Sequence, residues 1–169
     1  MIPISGLELM PIVRAALERG QTVRMTAHGG SMLPFIYDGE TVELVPPRPS
    51  WRLGDIVLAQ SAAERYVLHR IVKIAGESAF LRGDSQNYYE GPFPPQAILG
   101  RAVTAAGQGR LRRLDRGVWH WAGLLWLHSG WLGFYLLQLV LGLRRLGRAI
   151  PRRWSSSKKS LPAKPCLKS

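Results

Sequence analysis

Tyr66-Val67-Leu68-His69-Arg70-Ile71-Val72-Lys73 is a run of apolar and β-branched residues too short for a helix of ordinary length, and it reads as a strand. Similar runs occur at Thr22 to Ala27, Thr41 to Val45, Asp55 to Ala59, Ala79 to Arg82 and Ile98 to Thr104, separated by Gly, Pro and Asp. No helical pattern lies between them to serve as a parallel crossover. The expected fold is therefore mainly β, with an antiparallel, partly closed sheet. Pro46-Pro47-Arg48-Pro49 and Gly91-Pro92-Phe93-Pro94-Pro95 read as stiff connecting loops.

Upstream, Ser5 and Glu8 form a capping-box pattern, and Leu9, Ile12, Val13, Ala16 and Leu17 recur at helical spacing until Gly20. A short N-terminal helix is expected, with Pro11 kinking it or marking its first turn. Met1-Ile2-Pro3 lacks the basic region and apolar run of a cleavable signal peptide.

The net charge of +12 is unevenly placed. Residues 1–109 carry ten Lys and Arg against ten Asp and Glu, so the whole excess lies beyond residue 109. Arg110, Arg112, Arg113 and Arg116 precede an uncharged stretch of 27 residues, Gly117 to Leu143, which holds Trp119, Trp121, Trp126 and Trp131. About 20 apolar residues suffice to cross a bilayer, and tryptophans suit its headgroup boundary. A membrane-spanning helix is expected, with an interfacial helix and then a buried soluble helix as the rival readings. The tail after Arg144 is basic and poor in large apolar residues, so disorder and attraction to anionic lipid are expected. The organisation is thus a β-rich domain with its helix over 1–106, a basic linker over 107–116, the apolar helix over 117–143 and the tail over 144–169.

Cys166 alone forms no intramolecular disulfide, and Lys168 breaks the prenylation pattern of the last four residues. No metal-ligand spacing is present, and neither a metal nor another cofactor is expected. With the front half neutral and no helix-turn-helix pattern, no specific nucleic-acid partner is expected.

Candidate chemistry lies in Gly29-Gly30-Ser31-Met32-Leu33-Pro34, His69 and Gly83-Asp84. A serine hydroxyl attacks a carbonyl only when a base takes its proton and N–H groups stabilise the oxyanion. Gly29 and Gly30, lacking a Cβ, permit a sharp turn in which the amides of Gly29, Gly30 and Ser31 approach a bound carbonyl. Taken singly, Gly-Ser-Met is a common turn sequence, His69 fits an apolar strand as a core residue, and Asp84 fits a turn. Their order in the chain carries the signal.

Over residues 20–105 that order resembles the type I signal peptidases and the related LexA-like self-cleaving peptidases. Gly29 to Pro34 resembles the family's nucleophile box, and Asp38-Gly39-Glu40 stands where it has a Gly-Asp turn. Gly54-Asp55-Ile56-Val57 resembles the next box, Val67 to Ile71 the strand of the general base, and Gly83-Asp84-Ser85 the final box. The bacterial enzymes usually place lysine at the base, whereas the endoplasmic-reticulum and archaeal-like branch uses histidine. The resemblance implies Ser31 as nucleophile, His69 as base, and Asp84 or Glu90 as the acid that orients it. It also implies a membrane-associated serine endopeptidase acting on an extended peptide in exported or membrane-bound precursors, with small residues flanking the cut. Lys73, four residues beyond His69, is a second candidate base. The family's anchor normally precedes the catalytic domain, whereas here the apolar segment follows it, which leaves the membrane face open. A self-cleaving regulator and an inactive membrane adaptor that holds extended peptides are the alternative functions.

Overall fold

The computed structural model describes residues 6–127, with 62 and 108 excepted. A helix, α1 (Gly6–Glu18), leads into strands β1 (Val23–Thr26), β2 (Thr41–Val45), β3 (Ile56–Gln60), β4 (Tyr66–Ala75) and β5 (Ser78–Arg82). Then come β6 (Glu90–Phe93), a 3-10 turn (Pro95–Ala97), β7 (Ile98–Gly107) and β8 (Arg110–Arg113). Residues 118–127 are helical.

All eight strands form one antiparallel sheet in the order β1-β2-β7-β3-β4-β5-β6, with β8 added to β7. The end strands β1 and β6 do not pair with each other, so the sheet is open rather than partly closed. Register shifts at Glu43/Leu44, Leu58/Ala59, Ile71/Lys73 and Ala79/Leu81 mark bulges. Such bulges bend strands and increase their local twist.

In α1 the buried stripe is Met10, Val13 and Leu17, whereas Leu9 and Ile12, expected on the apolar face, are exposed. Pro11 lies inside the helix rather than at its first turn. Gly20, at φ 79°, ends the element: its amide donates to the Leu17 carbonyl and that of Gln21 to Ala16, the left-handed cap that glycine accommodates. The stripe packs with Met32, Ile36, Val42, Leu44, Ile56 and Leu58 into one apolar cluster. A second cluster joins Val57, Ala59, Ile71, Ala79, Leu81, Phe93 and Ile98. Adjacent residues of β3 thus serve different clusters, as period-two alternation requires.

Two strands lie where none was expected. β6 falls in the proline-rich loop, its Glu90 opposite Leu81 and its Phe93 opposite Ala79. It is an end strand, where proline's missing N–H costs least. β8 occupies the stretch read as a linker and pairs with β7 from Thr104↔Arg113 to Gly107↔Arg110.

No helix among the described residues is long and apolar enough to cross a membrane. Of the expected apolar helix, 118–127 is described, while 128–143 and the tail 144–169 lie outside the described residues, as does Ser5 of the capping box. The described part packs against the sheet. A Cβ at Gly54 would sit 2.5 Å from Leu124 Cδ2, and one at Gly123 would collide with the Arg70 guanidinium.

Arg70 lies beneath that helix and is 1% exposed. Its Nε and Nη2 donate to Asp84 Oδ1 and Oδ2 at 2.8 and 2.7 Å, and its Nη1 to the Gly54 carbonyl at 2.9 Å. Burial pushes the Asp84 carboxyl above its ordinary value, and the Arg70 hydrogen bonds oppose that shift. Removing one partner of such a pair leaves a buried charge unpaired. Asp84→Ala is expected to destabilise the fold by about 3–5 kcal/mol in a urea titration, and an unchanged midpoint would contradict the assignment.

Candidate active site

Ser31 lies in the loop between β1 and β2. The loop is closed at its base by the Ala27 amide donating to Glu40 and the Gly39 amide donating to Ala27, and buried Met32 and Ile36 pin it to the core. Gly29 adopts φ 91°, a conformation in which its missing Cβ matters. Its amide donates to Asp38 Oδ1 at 2.9 Å, so of the three expected oxyanion amides this one is already engaged. Those of Gly30 and Ser31 have no acceptor among the described residues.

From the other side, the 83–86 turn grips the same loop. The Ser85 amide donates to the Ser31 carbonyl at 2.9 Å, and Ser85 Oγ to the carbonyls of Gly30 and Ser31 at 2.8 and 3.1 Å. A Cβ on Gly83 would come 2.8 Å from the Ser31 oxygen, so the approach requires glycine. The Gly83-Asp84-Ser85 box therefore meets the nucleophile box through its backbone and Ser85, while the Asp84 carboxylate goes to Arg70.

His69 lies on β4 opposite Val57, and Arg70, its neighbour in sequence, points to the other face. Ser31 and His69 both line a cavity of about 960 Å³. His69 is buried, and its Nδ1 has no hydrogen-bond partner among the described residues. Nδ1 lies 3.7 Å from Glu90 Oε1, too long for a hydrogen bond, and the pair attracts as two charges only when the imidazole is protonated. Glu90, at the start of the unexpected strand β6, is thus the acid beside the imidazole. Burial pushes the His69 pKa below its ordinary 6.5, with Glu90 and then Asp84 opposing the shift. The imidazole is accordingly neutral at pH 7, the form that can accept a proton.

Lys73 is not part of this arrangement. It is exposed, its ammonium sits over the Phe80 ring at 5.3 Å, and it does not line the cavity. His28 does line it, but its side chain is exposed near Asp38. No cluster among the described residues has the composition to hold a metal ion.

The cavity also borders two unpaired strand edges. Among the described residues β1 pairs only with β2, and residues 66–69 of β4 pair with β3 but not with β5, whose partners begin at Arg70. Val23 to Ala27 and Tyr66 to His69 both line it, with Met10, Val13 and Ile12 of α1 as a further wall. Backbone N–H and C=O groups of a strand edge are a template for an added extended peptide.

Arg70, Ser85 and Asp38 are the residues that reasoning from sequence left without roles. Alternation along β4 was the available signal for Arg70, since a cation beside an inward His must serve the opposite face. No protein-family model matches the chain, and no curated protein matches it.

The electrostatics carry a sign that can be measured. In an NMR titration the His69 ring should have its midpoint below 6.5, because burial disfavours the imidazolium. Glu90→Gln removes a charge that favours protonation and should move the midpoint lower still. A rise would contradict the placement of Glu90.

Proposed function

We propose that this protein is a membrane-associated serine endopeptidase of signal-peptidase type, with Ser31 as nucleophile and His69 as general base. The observation that carries the reading is one cavity lined by Ser31 and His69 and bordered by two unpaired strand edges. An extended peptide added between β1 and the first half of β4 brings its scissile carbonyl to Ser31. His69 takes the hydroxyl proton as Oγ attacks, and the amides of Gly30 and Ser31 stabilise the oxyanion. The imidazolium so formed is held by the Glu90 carboxylate, then gives its proton to the leaving amine. A water repeats the sequence to release the acyl group. The resemblance of the motif order to the histidine-base signal peptidases supports small residues flanking the cut and exported or membrane-bound precursors as substrates.

Membrane association is supported by the described part of the apolar helix. Val118, Trp121 and Leu125, three and four residues apart, are exposed, as are Arg110, Arg113 and Arg116, which precede the helix in the chain. Apolar residues with flanking cations suit an anionic interface.

Ser31 Oγ makes no hydrogen bond among the described residues, so it is not bonded to the imidazole in the absence of substrate. That favours one competing reading: an adaptor that holds extended peptides without cutting them. Purified protein assayed on a panel of signal-peptide substrates separates the two. Ser31→Ala should abolish cleavage, His69→Ala should lower it by about 100- to 10,000-fold, and Lys73→Ala should leave it intact. Peptide binding without cleavage by the wild-type chain would establish the adaptor instead.

A further inference from the structure

We infer that helix 118–127 is a positioning element of the active site, and that Trp126 acts on Ser31 through the peptide unit joining Asp84 to Ser85; the catalytic consequence rests on the proteolytic reading above. Trp126 Nε1–H donates to the Asp84 carbonyl at 2.8 Å. At the other end of that peptide unit, the Ser85 N–H donates to the Ser31 carbonyl at 2.9 Å. The peptide is planar, so its C=O and N–H cannot turn independently. Trp126 and Ser31 thus hold opposite ends of one rigid rod, and a rotation that frees one bond spoils the other. Charge shift along such a chain strengthens both bonds.

A second link runs through packing. The Trp126 ring meets Phe35 edge to face, centroids 6.1 Å apart, and Phe35 lies four residues beyond Ser31. The Arg70 guanidinium sits 4.8 Å from the Phe35 centroid and holds the Asp84 carboxylate. Helix 118–127 therefore bears on the nucleophile loop from two directions. What it fixes is the direction of the Ser31 carbonyl, and with it the backbone angles that aim the Ser31 hydroxyl and amide. Trp126 does not line the cavity that Ser31 and His69 share, so its role is that of a positioning residue.

Trp126→Phe in the full chain keeps an aromatic ring against Phe35 and deletes the N–H. Two readings are taken. Hydrogen exchange at the Ser85 amide, resolved by mass spectrometry, should quicken about tenfold, the scale set by losing roughly 1.4 kcal/mol with one part-buried bond. On a signal-peptide substrate kcat should fall by about the same factor with KM unchanged, because the binding edges of β1 and β4 are untouched. If Trp126→Phe does not fold, 3-benzothienylalanine at position 126 keeps the shape of tryptophan and still removes the donor. Unchanged exchange at Ser85 overturns the inference, whatever the activity. Faster exchange in a chain with no peptidase activity upholds the mechanical link while the proteolytic reading falls. Faster exchange with kcat unchanged overturns the claim that the link positions Ser31.

Discussion

The bidentate ion pair between Arg70 and Asp84 is the constraint on which the arrangement of the site depends. Two buried charges gain little net stability from each other once desolvation is counted, so the pair is better understood as a device for register. It fixes which face of β4 turns toward the 83–86 turn. Because side chains alternate along a strand, committing Arg70 to that face commits His69 to the other. A one-residue slip of β4 would bury histidine against Asp84 and put a guanidinium beside Glu90. The turn anchored by Asp84 carries Ser85 to the Ser31 loop, so the same pair sets the position of that loop and the face on which His69 lies.

Electrostatics divide the two acids between two tasks. Asp84 is buried with a permanent cation and serves structure. Glu90 is partly exposed and faces a titrating ring that is buried and whose Nδ1 has no partner among the described residues. Burial keeps the imidazole neutral at rest, and the carboxylate nearby favours it when it gains a proton.

Much of this was legible in the sequence, and what was not has physical causes. Strands of Val, Ile and Leu between turn residues were readable because they alternate against a core. β8 was hidden because its alternation is inverted: Leu111 is 70% exposed, whereas Arg112 is 8% exposed and pairs with Glu40. A pattern rule that sends leucine inward and arginine outward has no way to find it. β6 was hidden by Pro92, which an end strand tolerates: among the described residues no strand covers its far edge. In α1 the stripe keeps the expected Val13 and Leu17 but takes Met10 in place of Leu9 and Ile12, which reflects the sheet it meets, a tertiary effect. Ser31 and His69 were singled out from motif order, but that they line one cavity, and that Glu90 rather than Asp84 lies beside the imidazole, depends on the face to which β4 commits Arg70.

The central claim is that His69 activates Ser31. The most direct measurement is the site and rate of labelling by a fluorophosphonate, mapped by mass spectrometry on the folded chain. The account predicts an adduct on Ser31 that forms faster as pH rises through the depressed pKa of His69 and disappears in His69→Ala. An adduct on another serine, or one on Ser31 indifferent to the loss of the imidazole, would contradict it.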